Sequence, residues 1–251
     1  MNFSQNTNKY ILINKHYSNE EQYKYWKDGY IKIPINFEKE ENKLFLKLKY
    51  LYETRQNFFL KKKYTNSQQF DFNGKIEDYD FCIEFLKKLK LVEKLKFISC
   101  SDLVMTNITI RINQNFRNTD SFWGGHRDTS FKLNKSLKGN VPPLKHLIYY
   151  PNLNNFPDKE NQLKIWVGSH HRMHNGIYDD IFSIFEKKKI VRSDNDSMIF
   201  FNGSIKHAIG YTRNPKGNLR LIFSFLDIRQ IYSGMEHFDK IQKWNDVLNN
   251  D

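Results

Sequence analysis

A histidine and a carboxylate separated by one residue, in the segment WGGHRDTS, form the chain's best candidate for binding a metal ion. They are His126 and Asp128, and a second histidine, His207, lies far downstream. In an extended segment alternate side chains point the same way, so His126 and Asp128 can face one ion while Arg127 points elsewhere. Two histidines and one carboxylate are the facial triad of non-haem Fe(II) oxygenases, which leaves coordination positions open. The pattern therefore predicts an Fe(II) site.

An arginine inside an apolar segment downstream either reaches water at the start of a strand or binds an anion beside that metal. Arg220 alternates with Leu219 and Leu221 in the apolar segment NLRLIFSF, where an unpaired charge is costly to bury. Its planar guanidinium can bind a carboxylate through two hydrogen bonds, and 2-oxoglutarate would supply that carboxylate. Arg213, in the preceding turn, is the alternative. The pattern suggests a 2-oxoglutarate-dependent dioxygenase that uses Fe(II), 2-oxoglutarate and O2 and releases succinate.

Short strands and turns after residue 100 must position these side chains. The predicted strands cover residues 104–113, 144–150, 163–169, 188–193, 197–202, 205–212 and 218–228. Short β-rich segments at this spacing are typical of a sandwich or barrel. Helices packed on one face would make the fold α+β and mainly β.

The first hundred residues predict helices and few strands. Apolar spacing indicates helices over 38–54 and 78–95, and a helix end, a turn at Gly29 and a short strand within 25–37. Residues 61–75 are interpreted as a loop, 1–19 as a loose N-terminal arm and about 238–250 as a C-terminal helix. No internal repeat or low-complexity linker divides the chain. We expect residues 1–251 to form one domain with a barrel core over about 100–230.

Composition limits the classes of partner and compartment. The net charge is +12, from 40 basic and 28 acidic residues, which permits a nucleic-acid partner. The lysines are dispersed, however, and Ala208 is the only alanine, a bias typical of an AT-rich genome; a small-molecule substrate is therefore favoured. Cys82 and Cys100 do not make a disulfide framework. With no signal peptide and no membrane-length apolar run, the sequence predicts a cytoplasmic protein.

Several motifs resemble the phytanoyl-CoA dioxygenase-like group of oxygenases. They are WKDGYIKIP, the HRD triplet, ENQLKIWVGSHHRMH and the segment from His207 to Arg220, and the similarity runs from about residue 23 to 230. The resemblance implies a double-stranded β-helix (a jelly-roll, cupin-like barrel) with flanking helices and with iron at one mouth. It also implies His126, Asp128 and His207 as the catalytic metal ligands and Arg220 as the anchor for 2-oxoglutarate.

The chain departs from that group around the pocket. Gly125 stands where the group often has a tryptophan, Trp123 lies two positions earlier, and Val167 replaces a frequent proline before the Gly-Ser-His turn. Trp123 would either line the pocket or pack in the core. Related halogenases carry a small residue at the position of Asp128, so the carboxylate favours hydroxylation of an organic substrate.

The histidines of SHHRMH, namely His170, His171 and His174, offer a rival metal site. No nearby cysteine completes a zinc set, so His170 is expected to lie behind the metal ligands or to face the substrate, as is Arg127. A different class of function stays open as well. A catalytically silent barrel could bind a ligand or nucleic acid through its basic surface.

Overall fold

A computed structural model describes most of the chain. The described residues are 19–35, 41–54, 58–64, 67–114, 125–128, 144–151, 153, 162–171, 177–192, 197–209, 216–235 and 237–249. Among them, no helix is both long and apolar enough to cross a membrane.

The helices lie mainly before the first long strand. Their bounds are α1 Glu20–Asp28, α2 Glu41–Glu53, α3 Asp80–Lys88, α4 Leu91–Ser99, α5 Ile177–Phe185 and α6 Phe238–Asn249. Helix α1 begins where the Asn19 side chain accepts a hydrogen bond from the Glu21 amide, and it ends at Gly29, whose φ of 81° suits glycine. Single 3-10 turns lie at Ile76–Tyr79, Ser169–His171 and Ile228–Gln230.

Most of the strands in the described part of the chain lie after residue 100. Their bounds are β1 Tyr30–Pro34, β2 Phe59–Tyr64, β3 Ser67–Phe72, β4 Leu103–Gln114, β5 Lys145–Tyr149, β6 Gln162–Trp166, β7 Lys188–Arg192, β8 Ser197–Asn202, β9 His207–Ile209 and β10 Asn218–Asp227. Seven of them form a sheet in the order β1-β8-β5-β10-β4-β3-β2, and three form a sheet in the order β7-β6-β9. All of these pairings are antiparallel.

Strand β10 shows how the larger sheet separates two layers. Leu219, Leu221, Phe223 and Phe225 belong to a core that also contains buried residues of α1–α4 and α6, so the helices cover one face. The alternate residues of β10 face the other way. There, a second apolar cluster joins β1, β5 and β8 to β6 and β7 of the smaller sheet. The two sheets therefore enclose an inner layer.

Two predictions for the first hundred residues are wrong. Residues 61–75 are not a loop, because β2 and β3 form a hairpin whose second strand pairs with β4. The helix predicted over 78–95 is two helices, α3 and α4, which are separated at Leu89 and Lys90. Lys90 adopts a positive φ of 47°, which ends the hydrogen-bonded run because this backbone conformation is not helical.

The other elements agree more closely with the sequence patterns. The helix predicted over 38–54 corresponds to α2 and the C-terminal helix to α6, and each predicted strand after residue 100 overlaps an observed strand. The strand predicted over 205–212 starts later, because β9 begins at His207, and 210–212 lie outside the described residues. Helix α5 had not been predicted. Residues 1–18 of the predicted arm also lie outside the described part of the chain.

Candidate metal centre

A short backbone ladder brings the two predicted histidine ligands together. His126 and His207 form an isolated antiparallel bridge in which each amide donates to the other's carbonyl, both at 2.9 Å. The Asp128 amide donates to the Gly203 carbonyl at 2.9 Å, and this hydrogen bond holds the backbone of Asp128 in place two residues after His126. The imidazole rings of His126 and His207 lie 4.5 Å apart between centroids. Hydrogen bonds of the main chain therefore set the spacing of the ligands.

The carboxylate of Asp128 lies between the two imidazoles. Its Oδ1 is 3.4 Å from His126 Nε2, and its Oδ2 is 3.2 Å from His207 Nε2. One ligand atom from each of His126, Asp128 and His207 lies within 4.8 Å of the other two. Among the described residues, these three are the only histidine, cysteine or acidic side chains grouped closely enough to hold a metal ion.

Burial and the surrounding imidazoles have opposite effects on the pKa of Asp128. Burial raises the pKa of its carboxyl group, but the imidazoles of His126, His146 and His207 around it outweigh burial and hold that pKa well below its usual range. The carboxylate is therefore ionised at neutral pH. An ionised carboxylate only accepts hydrogen bonds and can coordinate a cation directly.

The tautomer of His207 is set by its surroundings. Its Nδ1 lies 3.0 Å from the Ile205 carbonyl, which can only accept, so Nδ1 carries the proton of the neutral ring. Burial lowers the pKa of His207 despite the opposing effect of Asp128, and this favours the neutral ring. The lone pair of Nε2 then points at a carboxylate oxygen, an arrangement that a cation between the two atoms stabilises. The donor set and this orientation fit a divalent metal.

Gly125 and Arg127 hold the metal-ligand segment against the rest of the fold. A Cβ at Gly125 would lie 2.8 Å from the Trp166 ring, so only glycine allows this close approach without a shift. Arg127 points away from the cluster and donates from one guanidinium nitrogen to the carbonyls of Ser169, at 2.9 Å, and of Ser204. Arg127 thus ties the ligand segment to the predicted Gly-Ser-His turn.

A third histidine, His146 on β5, faces the same carboxylate and had not been predicted. Its Nε2 lies 3.0 Å from Asp128 Oδ2, and its Nδ1 lies 3.1 Å from the Ser224 hydroxyl. His146 and Ser224 are opposite each other across β5 and β10, so both side chains point into the inner layer. The available signal was a polar residue that alternates with Ile148 and Tyr150 in the apolar segment KHLIYY.

Arg220 lies on the same face of β10 as Ser224 and is buried, with 5% of its surface exposed. Its Nε has no hydrogen-bond partner within the described residues. Burial lowers the pKa of its guanidinium, and the Tyr150 phenol beside it opposes that effect. A buried guanidinium nitrogen without an acceptor is costly, so the position favours binding of an anion.

Arg111 of β4 stands directly opposite Arg220 and is neutralised by Asp71 of β3. The Arg111 guanidinium makes a two-point contact with the Asp71 carboxylate, with one pair of atoms 2.8 Å apart. The Asp71 carboxylate neutralises the charge of Arg111. Among Asp71, Arg111 and Arg220, a net charge of +1 therefore remains, and it belongs to Arg220.

Of the three rival histidines, only His170 and His171 belong to the described part of the chain, and neither is in the candidate metal group found there. His170 is partly buried, its Nε2 lies 2.7 Å from the Trp26 carbonyl of α1, and its ring is tilted against that of His171, with 3.9 Å between centroids. Burial lowers the pKa of His170 to about 3, so the ring is neutral. His174 lies outside the described residues, as do Trp123 and the alternative anchor Arg213.

The comparisons with known proteins identify related folds. No family model and no curated protein sequence matches this chain. Among solved structures, it resembles the non-heme alpha-ketoglutarate-dependent epimerase SnoN from nogalamycin biosynthesis, with a TM-score of 0.63 and 13% identity over 82% of this chain and 79% of that one. The alpha-ketoglutarate-dependent carbocyclase SnoK from the same biosynthesis gives a TM-score of 0.61 and 12% identity, over 85% of both chains.

A third solved structure with this fold contains bound 2-oxoglutarate. EctD from S. alaskensis, in complex with 2-oxoglutarate and 5-hydroxyectoine, matches with a TM-score of 0.59 and 12% identity over 88% of this chain and 82% of that one. SnoN is also known in complex with Fe3+, alpha-ketoglutarate and nogalamycin RO. The structural neighbours are thus iron- and 2-oxoglutarate-dependent enzymes. At these identities the likeness shows a shared fold, and the phytanoyl-CoA dioxygenase-like group itself stays a prediction.

Proposed function

We propose that this chain is an Fe(II)- and 2-oxoglutarate-dependent oxygenase of the phytanoyl-CoA dioxygenase-like group, with one domain built on a double-stranded β-helix. The observation that carries the proposal is the convergence of His126, Asp128 and His207 on one point. The fold shared with SnoN, SnoK and EctD supports it. A binding module would not need two imidazoles and a carboxylate held in this arrangement by main-chain hydrogen bonds.

In this proposal, the three side chains hold the metal and Arg220 holds the co-substrate. Two imidazole nitrogens and one carboxylate oxygen leave coordination positions open for 2-oxoglutarate and O2. Arg220 would bind the distal carboxylate of 2-oxoglutarate through its guanidinium fork, which would supply the acceptor that its Nε lacks. The nearby Arg111–Asp71 pair leaves one unneutralised positive charge, and this matches one carboxylate.

The reaction that we propose is hydroxylation of a small organic molecule. The bound iron supplies the activation of O2, and the balance is one O2, one 2-oxoglutarate and one C–H bond converted to succinate, CO2 and one C–OH bond. The chain contributes ligation, orientation of the co-substrate and a sheltered inner layer. Asp128 occupies the ligand position that a halogenase would leave to chloride, which favours transfer of oxygen over halogen.

The metal assignment is tested by titrating purified protein with Co(II) under anaerobic conditions and following binding by calorimetry. We expect one ion per chain for the wild type and no measurable site for His207→Ala, since removing one of three ligands eliminates the facial set. His171→Ala is the matched control, because His171 is an exposed histidine against Trp26, and it should bind as tightly as the wild type. Wild-type affinity in His207→Ala would contradict the assignment.

The reaction type is tested by mass spectrometry of products formed under isotope-labelled O2 in the presence of chloride or bromide. We expect iron-dependent formation of succinate and a product that gains one labelled oxygen atom and no halogen. The epimerase and carbocyclase among the neighbours make this measurement necessary. A halogenated product, or a product without labelled oxygen, would exclude hydroxylation. Persistent absence of iron-dependent succinate with broad substrate pools would favour the silent-barrel alternative.

A further inference from the structure

Both segments that carry the proposed metal ligands are attached to one further residue, Ser169. This serine begins the 3-10 turn after β6 and is fully buried. Its hydroxyl oxygen accepts a hydrogen bond from the Lys206 amide at 2.8 Å, and its carbonyl accepts one from the Arg127 guanidinium at 2.9 Å. Lys206 directly precedes one histidine ligand, and Arg127 separates the other histidine from the carboxylate ligand. Ser169 therefore contacts each ligand segment at a residue next to a ligand.

The Ser169 hydroxyl continues the attachment of the second ligand segment beyond the paired residues of β6 and β9. Past the last of these pairs, the Trp166 amide donates to the Lys206 carbonyl at 3.0 Å. Gly168 then adopts a positive φ of 74°, and the chain turns. A buried amide needs an acceptor, and the side chain of Ser169 supplies one to Lys206 where a strand would supply a main-chain carbonyl. The hydroxyl thus holds the backbone immediately before His207.

The turn that carries Ser169 is itself anchored to helix α1. The Gly168 amide donates to the Asp28 carbonyl at 3.1 Å, and His170 Nε2 lies 2.7 Å from the Trp26 carbonyl. Both carbonyls belong to the last turn of α1, where carbonyl groups have no partner within the helix. Ser169 is therefore held by the helix on one side and holds the two ligand segments on the other.

We propose that Ser169 is a positioning residue, which fixes the two ligand segments relative to each other through its hydroxyl and its carbonyl. The inference rests on the proposed metal centre and adds to it a residue that does not contact the ion. The side chains of such a site must be held within about 0.5 Å of their working positions. Loss of the Ser169 hydroxyl would release the segment before His207 while the contact with Arg127 remains.

The first test measures amide hydrogen exchange of the metal-free protein. Ser169→Ala removes the acceptor of the Lys206 amide, so exchange of that amide should become faster by about tenfold or more. Asn245→Ala is the matched control. It removes the side-chain oxygen that accepts from the Met105 amide at 3.0 Å, between α6 and β4, and it should leave exchange at Lys206 unchanged. Unchanged exchange at Lys206 in Ser169→Ala would contradict the proposal.

The second test measures the affinity and the visible absorption spectrum of bound Co(II). Ser169→Ala should bind Co(II) about 10-fold more weakly, at the lower end of the range for residues that orient metal ligands, because Ser169 acts through the main chain. The absorption bands should shift as well, since they depend on the arrangement of the ligands. Ser169→Thr retains the hydroxyl and should restore the affinity and the spectrum. Asn245→Ala should keep the wild-type affinity and spectrum, although it lowers the unfolding temperature.

Results for the wild type and for the variants test different conclusions. Absence of a Co(II) site in the wild type would overturn the proposed function. A wild-type site whose affinity and spectrum Ser169→Ala leaves unchanged would overturn only the role of Ser169. Equal losses in Ser169→Ala and either Ser169→Thr or Asn245→Ala would also overturn that role, since packing or general stability would then explain them. If Ser169→Ala does not fold, Ser169→Cys, whose sulfur is only a weak acceptor, replaces it in each comparison.

Discussion

The charge on Arg220 is the strongest chemical constraint that a single residue imposes on this molecule. The side chain is buried, its Nε meets no acceptor in the described part of the chain, and Arg111 faces it across the sheet. Asp71 neutralises Arg111 but leaves the charge of Arg220. Because a buried unpaired charge is costly, a ligand that supplies one carboxylate would stabilise the folded protein as well as bind to it.

Arg220→Ala should weaken binding of 2-oxoglutarate to the metal-loaded protein. Removing one partner of a buried charge pair costs about 2–5 kcal/mol, which corresponds to an increase in the dissociation constant of roughly 30-fold to a few thousandfold. Arg220→Lys should lose part of that affinity because it retains the charge without the planar fork. Equilibrium titration with 2-oxoglutarate measures the effect.

Two other arginines serve as controls for this measurement. Arg192 is exposed at the end of β7, and Arg192→Ala should leave the dissociation constant unchanged. Arg213→Ala should have no effect either. A loss of binding in Arg213→Ala, with wild-type binding in Arg220→Ala, would exchange the predicted roles of Arg213 and Arg220.

Among single residues, sequence patterns predicted those that stand out from their neighbours along the chain. A His-x-Asp pair, a downstream histidine and an arginine inside an apolar strand were all recognisable from their neighbours along the chain. His146 was not found, because its position beside Asp128 and Ser224 depends on which strands pair in the folded protein. Sequence patterns report periodicity along an element and do not report which elements become neighbours.

The β2–β3 hairpin is the element that the sequence predicted least well. Its letters KKKYTNSQQFDFN are polar and lack the regular alternation of a two-faced strand, so they indicated a loop. The hairpin exists because β3 pairs with β4, and because Asp71 forms a buried ion pair with Arg111 across that pairing. Tertiary contacts thus decided a conformation that local propensity did not.

Asp71→Ala should destabilise the fold through this hairpin. It removes the carboxylate that pairs with Arg111, which lies directly opposite Arg220, and breaking a largely buried ion pair costs about 3 kcal/mol or more. Chemical denaturation followed by circular dichroism measures the loss in the free energy of unfolding. Lys243→Ala breaks the exposed Glu77–Lys243 pair and serves as control, with little change expected. Equal stability of both variants would show that the Asp71–Arg111 pair does not stabilise the hairpin.

The whole molecule is organised by the seven-stranded sheet, which gives its two faces different tasks. The helix-covered face is lined by large apolar side chains, with Leu86 of α3 fully buried among them. The inner face carries His146, Arg220 and Ser224 among apolar neighbours. Stability can therefore be changed from one face with little effect on the ligands at the other.

Leu86→Ala tests this separation. Deleting a fully buried leucine side chain costs about 2–5 kcal/mol, while Co(II) affinity of the folded protein should stay at the wild-type value. Phe185→Ala, at a residue that is 81% exposed, should change neither quantity. Calorimetric unfolding and Co(II) titration on the same samples measure both. A large loss of Co(II) affinity in folded Leu86→Ala would show that the two faces are coupled.

The central position of β10 also has a consequence for how this protein is made. Strand β10 pairs with β4 on one side and β5 on the other, although it follows every other described strand in the chain. Helices α1–α4 therefore leave the ribosome long before the middle of the sheet they cover. Until residue 227 has emerged, the nascent chain keeps apolar surface exposed and lacks Arg220 and Ser224. We expect the growing chain to depend on chaperones and to acquire its metal only after its synthesis is nearly complete.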